Sequence, residues 1–156
     1  MSLEFDLTPF LRSMRHLQKK VAPEAFRKAV TEVALTVMND AVEDIPKPPI
    51  DTGHLRGSGS AFVDDHLVGT TLNTTGVGSP ANAHTEPKEA HHIIAVVGFN
   101  TPYAARWHEV EPPNWHLKRT TPFRDAESGT KYLEKKLSTN AQKYGNILAA
   151  TIKANL

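Results

Sequence analysis

Asp51-Thr52-Gly53, in the run Ile50 to Ser60 (IDTGHLRGSGS), is the first triplet whose types and order could do chemistry. Asp-Thr-Gly is the half-site of dimeric aspartic proteases, where two facing carboxylates drive their pKa values apart. One such triplet in 156 residues suits a homodimer, and Val96-Val97-Gly98 imitates the apolar-apolar-glycine element that follows in those enzymes. The surroundings argue against it. The triplet follows Lys47-Pro48-Pro49-Ile50 instead of an apolar strand, and much of the chain has helical spacing where that protease fold is almost wholly β. A structural role is simpler. Asp51 or Thr52 caps a helical turn from Gly53 to Arg56, Gly57 and Gly59 let the chain reverse into a strand, Leu55 enters the core, and Arg56 is free for a carboxylate.

Histidine is the second candidate chemistry. Five of the eight, His84, His91, His92, His108 and His116, fall in the middle of the chain. His108-Glu109 begins like a zinc-protease helix, but the position four after His108 is Pro112, so the second ligand is missing. His91 and His92 are adjacent and would point to opposite sides of a strand, which suits solvated or interface-facing side chains with a pH response better than a metal. No metal site is expected. Gly57-Ser58-Gly59 lacks the lysine and long helix of a phosphate loop, and Ser58 and Ser60 lack a nucleophile elbow. Lys118, Arg119, Arg124, Lys131, Lys135 and Lys136 gather near Trp115 and Phe123, but Glu127 and Glu134 interrupt them, as on a solvated helix face.

The composition sets the frame for these residues. Eighteen Lys and Arg against seventeen Asp and Glu leave a net charge of +1, so recognition of nucleic acid, membrane or an acidic substrate has no global field behind it. Absence of cysteine excludes disulfides and thiol chemistry. An apolar content of 39% with 7% aromatics is low for a closed globule and suggests that subunit contacts complete the burial. Met1 to Asp6 has neither the basic flank nor the apolar run of a signal peptide, and no segment is long and apolar enough to span a bilayer, so a cytosolic, soluble protein is expected. The Asn73-Thr74-Thr75 sequon is read as chance.

The elements that must position these residues form a single α+β domain over 1–156. It comprises N-terminal helices 8–45, a hinge turn 46–60, a sheet with a long loop 61–100, a short helix with an irregular loop 101–128, and a C-terminal helix 129–155. Phe10, Leu11, Met14, Leu17 and Val21 recur at helical spacing after Thr8-Pro9, with Arg12, Arg15, Lys19 and Lys20 elsewhere on the wheel. A second helix from Pro23 to about Asp44 places Phe26, Val30, Val33, Val37, Ala41 and Ile45 on one face as the packing spine. Pro46, Pro48 and Pro49 stop it. Strands are expected at Ala61–Val63 and Leu67–Leu72, joined by a turn at Asp64-Asp65-His66. Residues 73–92 are polar and rich in turn formers, composing a long flexible loop. Ile93 to Phe99 (IIAVVGF) is the strongest strand and is expected at the centre of the sheet under a helix. Pro102 to Glu109 forms a short helix stopped by Pro112-Pro113. In the last helix Leu133, Leu137, Ala141, Tyr144, Leu148 and Ile152 share a face, and Gly145 could bend it.

The order of these pieces is more specific than any one of them. A helix runs into a Pro-rich P-x-D-T-G-x-L-R-x-S turn over Pro49 to Ser58; strands and a variable loop precede an apolar strand; P-Y-A-x-x-x-H-E follows within Val97 to Glu109; and G-x-K-Y-L-E-K-K-L opens the last helix over Gly129 to Leu137. This order resembles the tailed-bacteriophage family of minor tail components, also described as tail-completion or head-tail joining (neck) proteins, over about residues 40 to 140. Where that family continues from its Tyr-Ala helix and Glu into an aromatic-Gly-Thr turn, this chain has Val110-Glu111-Pro112-Pro113-Asn114-Trp115.

The resemblance implies a twisted antiparallel sheet packed against helices, in a virion protein assembled in the host cytoplasm. It implies a homo-oligomeric ring, hexamer or dodecamer, at the head-tail junction, acting as tail terminator or neck connector. The neighbours would be other connector and tail-tube proteins, with non-specific contact to DNA passing through the ring and none to a membrane. Neither catalysis nor a cofactor is implied. On this reading Asp51, Thr52, Gly53, Arg56 and Glu109 form a structural hinge with an Arg56–Glu109 ion pair, and Tyr103, Trp107, Trp115, His91 and His92 are candidate interface residues. A cytosolic binding or regulatory module is the alternative, and the Asp51 protease a remote one.

Overall fold

The computed structural model describes residues 23–49, 53–71, 93–109 and 127–156. The expected first helix, the whole of the 73–92 loop, and residues 110–126 lie outside the described residues.

Helix α1, Pro23–Glu43, forms where the apolar period called for it, but ends before Ile45, which was expected on its apolar face and is 66% exposed. Pro23 opens it with a fixed φ and Glu24 meets the positive end of its dipole. Its buried set, Ala25, Phe26, Ala29, Ala34, Val37, Met38 and Ala41, is mostly small and covers more than one stripe, so other elements approach it closely from more than one side. The sheet packs on one side, through Ala34 and Met38 against Ala61 and Val63, with Val30, Leu35, Val68, Ile93 and Val97 around them. On another side lies the C-terminal helix. No basic residue stands in the last turn of α1. Lys136 supplies one from a distant element, donating to the Asp44 carbonyl at 2.7 Å.

A one-turn helix α2, His54–Gly57, leads into β1, Gly59–Val63, followed by β2, His66–Thr70, and β3, Ala95–Phe99. The three strands are antiparallel in the order β2-β1-β3. The α+β architecture expected from the sequence is therefore present. The expected central place of Ile93–Phe99 is not: among the described residues β3 is a flank and β1 is the middle strand. The burial explains the difference, since every residue of β1 is buried while Ala95 is exposed and the rest of β3 is half-buried. The β1–β2 turn is a two-residue one, Asp64-Asp65, with φ of 48° and 66°, and His66 already belongs to β2. Two left-handed residues match the twist of a hairpin, and Asp tolerates that region. Asp64 also accepts the Ile94 amide at 3.0 Å and pairs with Arg27, tying the turn to β3 and α1.

Helix α3, Ala104–Glu109, is the short helix expected there. The continuous helix expected over 129–155 is two, α4 Glu134–Thr139 and α5 Ala141–Ala154. The break falls at Asn140, whereas Gly145 lies inside α5. Asn140 uses its side-chain amide on Asp40 at 3.2 Å, so the interruption is held by a tertiary contact that a helical wheel does not display.

Candidate assembly surface

The hinge is built from backbone acceptors. Gly53 precedes α2 at φ 87°, a conformation that favours glycine, and its carbonyl accepts the Gly57 amide at 2.9 Å. The buried Ser58 hydroxyl returns to the Leu55 carbonyl at 2.8 Å, and Leu55 is 3% exposed. Arg56 Nε donates to the carbonyl of the buried Pro48 at 2.7 Å. Gly59 has another reason than chain reversal. Thr71 Oγ1 accepts the Gly59 amide at 2.8 Å and donates to the Arg56 carbonyl, and a Cβ on Gly59 would stand 2.7 Å from that oxygen. Asp51 and Thr52, the expected caps, lie outside the described residues. The returning segment seals the outer side: Lys47 and Ser128 form a parallel bridge, and Lys47 Nζ meets Glu127 at 2.6 Å.

The structure gives the two ends of the expected Arg56–Glu109 pair other partners. Glu109 takes Lys131 on one oxygen and His108 Nδ1 at 2.7 Å on the other, while Lys131 also reaches Glu134 at 3.0 Å. The cause is local. The Lys131 amide hydrogen-bonds to the His108 carbonyl at 2.8 Å, which sets its side chain beside Glu109. The hydrogen bond from Lys131 holds the Glu109 carboxyl below its ordinary value, helped by His108, and Glu109 raises Lys131.

Behind this exposed cluster Tyr132 is 1% exposed, its ring edge-on to Phe99 at 5.3 Å and to His108 at 4.9 Å, and its hydroxyl donates to the Ala104 carbonyl at 3.2 Å. Burial, reinforced by Glu109, pushes its phenol well above the usual value. Tyr103 is exposed, and Trp107 is half-buried with the Arg106 guanidinium 5.9 Å over its ring. Tyr103 stands just before α3 and Trp107 within it. Trp115, His91 and His92 lie outside the described residues.

An apolar trough of about 410 Å³ lies among the described residues. Its floor is α1, through Val30, Val33, Ala34 and Val37; one wall is β3, Ala95 to Val97; the other is Leu133 with Leu137 of α4 and Leu148 of α5. Leu137 is 52% exposed, and among the described residues β3 has a strand partner on one side alone. A second cavity, of about 400 Å³, lies at the end of α1 between Asp44, Ile45, Pro46, Lys135, Lys136, Thr139 and Asn140. Lys136, 3% exposed, has its ammonium turned to the Asp44 carbonyl, and burial lowers its pKa against the pull of Asp44 and Asp40.

Sequence reasoning missed the polar knot that fastens α5 to α1. Asp40 is 8% exposed and receives Lys143 on both oxygens at 2.8 Å, the Tyr144 hydroxyl at 2.8 Å, and Asn140. Its signal was a lone carboxylate between Val37 and Ala41 on an apolar face, which demands partners once buried. Among the described residues no group of three or more His, Asp or Glu converges as a metal site would require, and no helix is long and apolar enough to cross a membrane. Comparisons with protein families, with curated proteins and with solved structures gave no match.

Proposed function

We propose that this protein is a structural subunit of a tailed-bacteriophage particle, assembling into a homo-oligomeric ring at the head-tail junction and working by surface complementarity, without catalysis. The observation that carries this reading is the apolar trough between α1, β3 and the C-terminal helices, beside a flanking strand and the exposed Leu137. Exposed apolar surface of this kind marks protein contacts. The order of the Asp-Thr-Gly turn, the Pro-Tyr-Ala helix and the Lys-Tyr-Leu helix supports the same reading. In a ring the patch on one copy meets a different patch on the next, which suits a chain with a trough on one side and the Tyr103–Trp107 corner elsewhere. The neighbours would be connector or tail-tube proteins, and near-neutral net charge lets DNA pass the ring without being held.

The test is the mass of the purified protein by light scattering, alone and mixed with tail tubes or DNA-filled heads, followed by negative-stain imaging. A ring, or binding at one end of either particle, is expected. A monomer or dimer that ignores both particles overturns the proposal in favour of a cytosolic regulatory module.

A further inference from the structure

The cavity at the end of α1 holds a charge without a counterion. Lys136 is 3% exposed, yet it takes part in none of the ion pairs among the described residues. An ammonium carries three donors, and the Asp44 carbonyl at 2.7 Å occupies a single one. Asp40, the buried carboxylate of α1, is already taken by Lys143, Tyr144 and Asn140. Burial is accordingly the first cause of the lowered Lys136 pKa; Asp44 and Asp40 oppose it, and Lys135 and Lys47 add to it. A buried charge in this state demands a further acceptor.

Space for that acceptor is present. The cavity that Lys136 lines has a volume of about 400 Å³, within the range of small-ligand sites. Its lining offers two kinds of surface. Lys135 and Thr139 bring an ammonium and a hydroxyl whose side chains have no protein partner among the described residues. Ile45 and Pro46 bring apolar surface, and Ile45 is 66% exposed. The exposed Asp44 carboxylate and the negative end of α1 stand at the same place and weigh against a doubly charged anion such as phosphate. We infer that the cavity binds a small organic monocarboxylate, with its carboxylate on Lys136 and its apolar body against Ile45 and Pro46. The site uses neither the trough nor the residues around α3, so it does not depend on the ring.

Sodium benzoate, sodium acetate and the neutral benzamide would be titrated into the full-length protein at constant ionic strength. Calorimetry and the ε-methylene NMR signals of isotope-labelled lysine are the readouts. Benzoate should shift the Lys136 signal saturably and bind about tenfold more tightly than acetate, because its ring leaves water. Benzamide should do neither. Lys136→Met keeps the stem without the charge, identifies the signal and should abolish binding. Lys136 also closes the end of α1, so circular dichroism checks the fold of that variant, and Ile45→Ser supplies a second one at an exposed position. There benzoate affinity should fall about tenfold, towards that of acetate, while acetate binding stays unchanged. A benzoate response matched by benzamide, or one that survives in folded Lys136→Met, overturns the inference. So does a Lys136 signal that benzoate leaves unmoved in the folded wild-type protein, or equal affinities for benzoate and acetate.

Discussion

Lys143 grips Asp40 through both carboxylate oxygens at 2.8 Å across 103 positions of sequence. The Tyr144 hydroxyl adds a third donor at 2.8 Å, so one carboxylate on α1 organises the start of α5. The two partners differ in exposure: the Asp40 side chain is 11% exposed and that of Lys143 48%. The pair is therefore asymmetric in what its loss would cost.

Replacing Asp40 by Ala leaves a buried phenol, the Asn140 amide and an ammonium without their acceptor. A loss of about 3 kcal/mol or more is expected, as for a broken buried pair. Lys143→Ala removes a half-exposed partner and should cost about 1 kcal/mol or less. Urea unfolding of both variants measures the contrast; equal losses would mean that Asp40 is not the centre of the knot.

Burial pushes the Tyr144 phenol up to about 12 from 10.0, with the Asp40 carboxylate adding to the rise and Asn140 opposing it. The folded state thus binds the phenolic proton more tightly than the unfolded chain. The stability this confers is complete below pH 10, and is lost as pH rises from 10 to about 12. Tyr132 is shifted in the same direction. Tyr144→Phe should begin about 1 to 2 kcal/mol lower at neutral pH, yet decline less steeply through that window. Unfolding midpoints against pH supply the comparison.

Gly59→Ala and Gly145→Ala should move stability in opposite directions. A Cβ at Gly59 would stand 2.8 Å from Thr71 Cγ2 and 3.0 Å from Phe99 Cε1, and Thr71 is fixed by its hydrogen bonds to Gly59 and Arg56. A loss of about 1 to 3 kcal/mol follows from such overpacking. At Gly145 nothing lies within 4 Å, so alanine should stabilise α5 by about 0.5 to 1 kcal/mol. Thermal melts of the two variants settle both signs.

The Lys131 hydrogen bond, followed by that to His108, lowers the Glu109 carboxyl from 4.5. The pairing then adds stability above that value, and the contribution disappears as pH falls through the lower folded value. Glu109→Gln should flatten that acid limb and leave the neutral-pH fold intact. A carbon-detected NMR titration of the Glu109 carboxyl reads the shift directly; a midpoint at the ordinary value would show that the cluster is held by packing alone.

Much of the architecture was legible because its causes are local. Phe26, Val30, Val33, Val37 and Ala41 repeat at helical spacing, and α1 spans Pro23–Glu43. Pro102-Tyr103-Ala104 announces α3, and the Asp64-Asp65 turn announces the hairpin. What escaped depends on partners far along the chain. GSAFV is a modest strand by composition, yet it is central because two other strands and α1 enclose it. Leu137, Ala141 and Tyr144 keep a helical period straight through Asn140, where the helix breaks to face Asp40. Glu109 was expected to meet Arg56 because both lie in motifs; backbone pairing at His108 set Lys131 there first.

The placement of β1 between β2 and β3 carries a consequence for how such a chain can diversify. Residues 71–94 join two parallel strands on opposite sides of a shared neighbour, and must cross the length of the sheet as well as its width, roughly 15 to 20 Å that any moderately long segment can bridge. Doubling the length of a flexible connection adds only about 0.6 kcal/mol of closure cost. Insertions and deletions between Thr71 and Ile94 should therefore accumulate in related lineages while the strand register, set elsewhere, stays constant. The sheet fixes the address of that segment and leaves its length to natural variation.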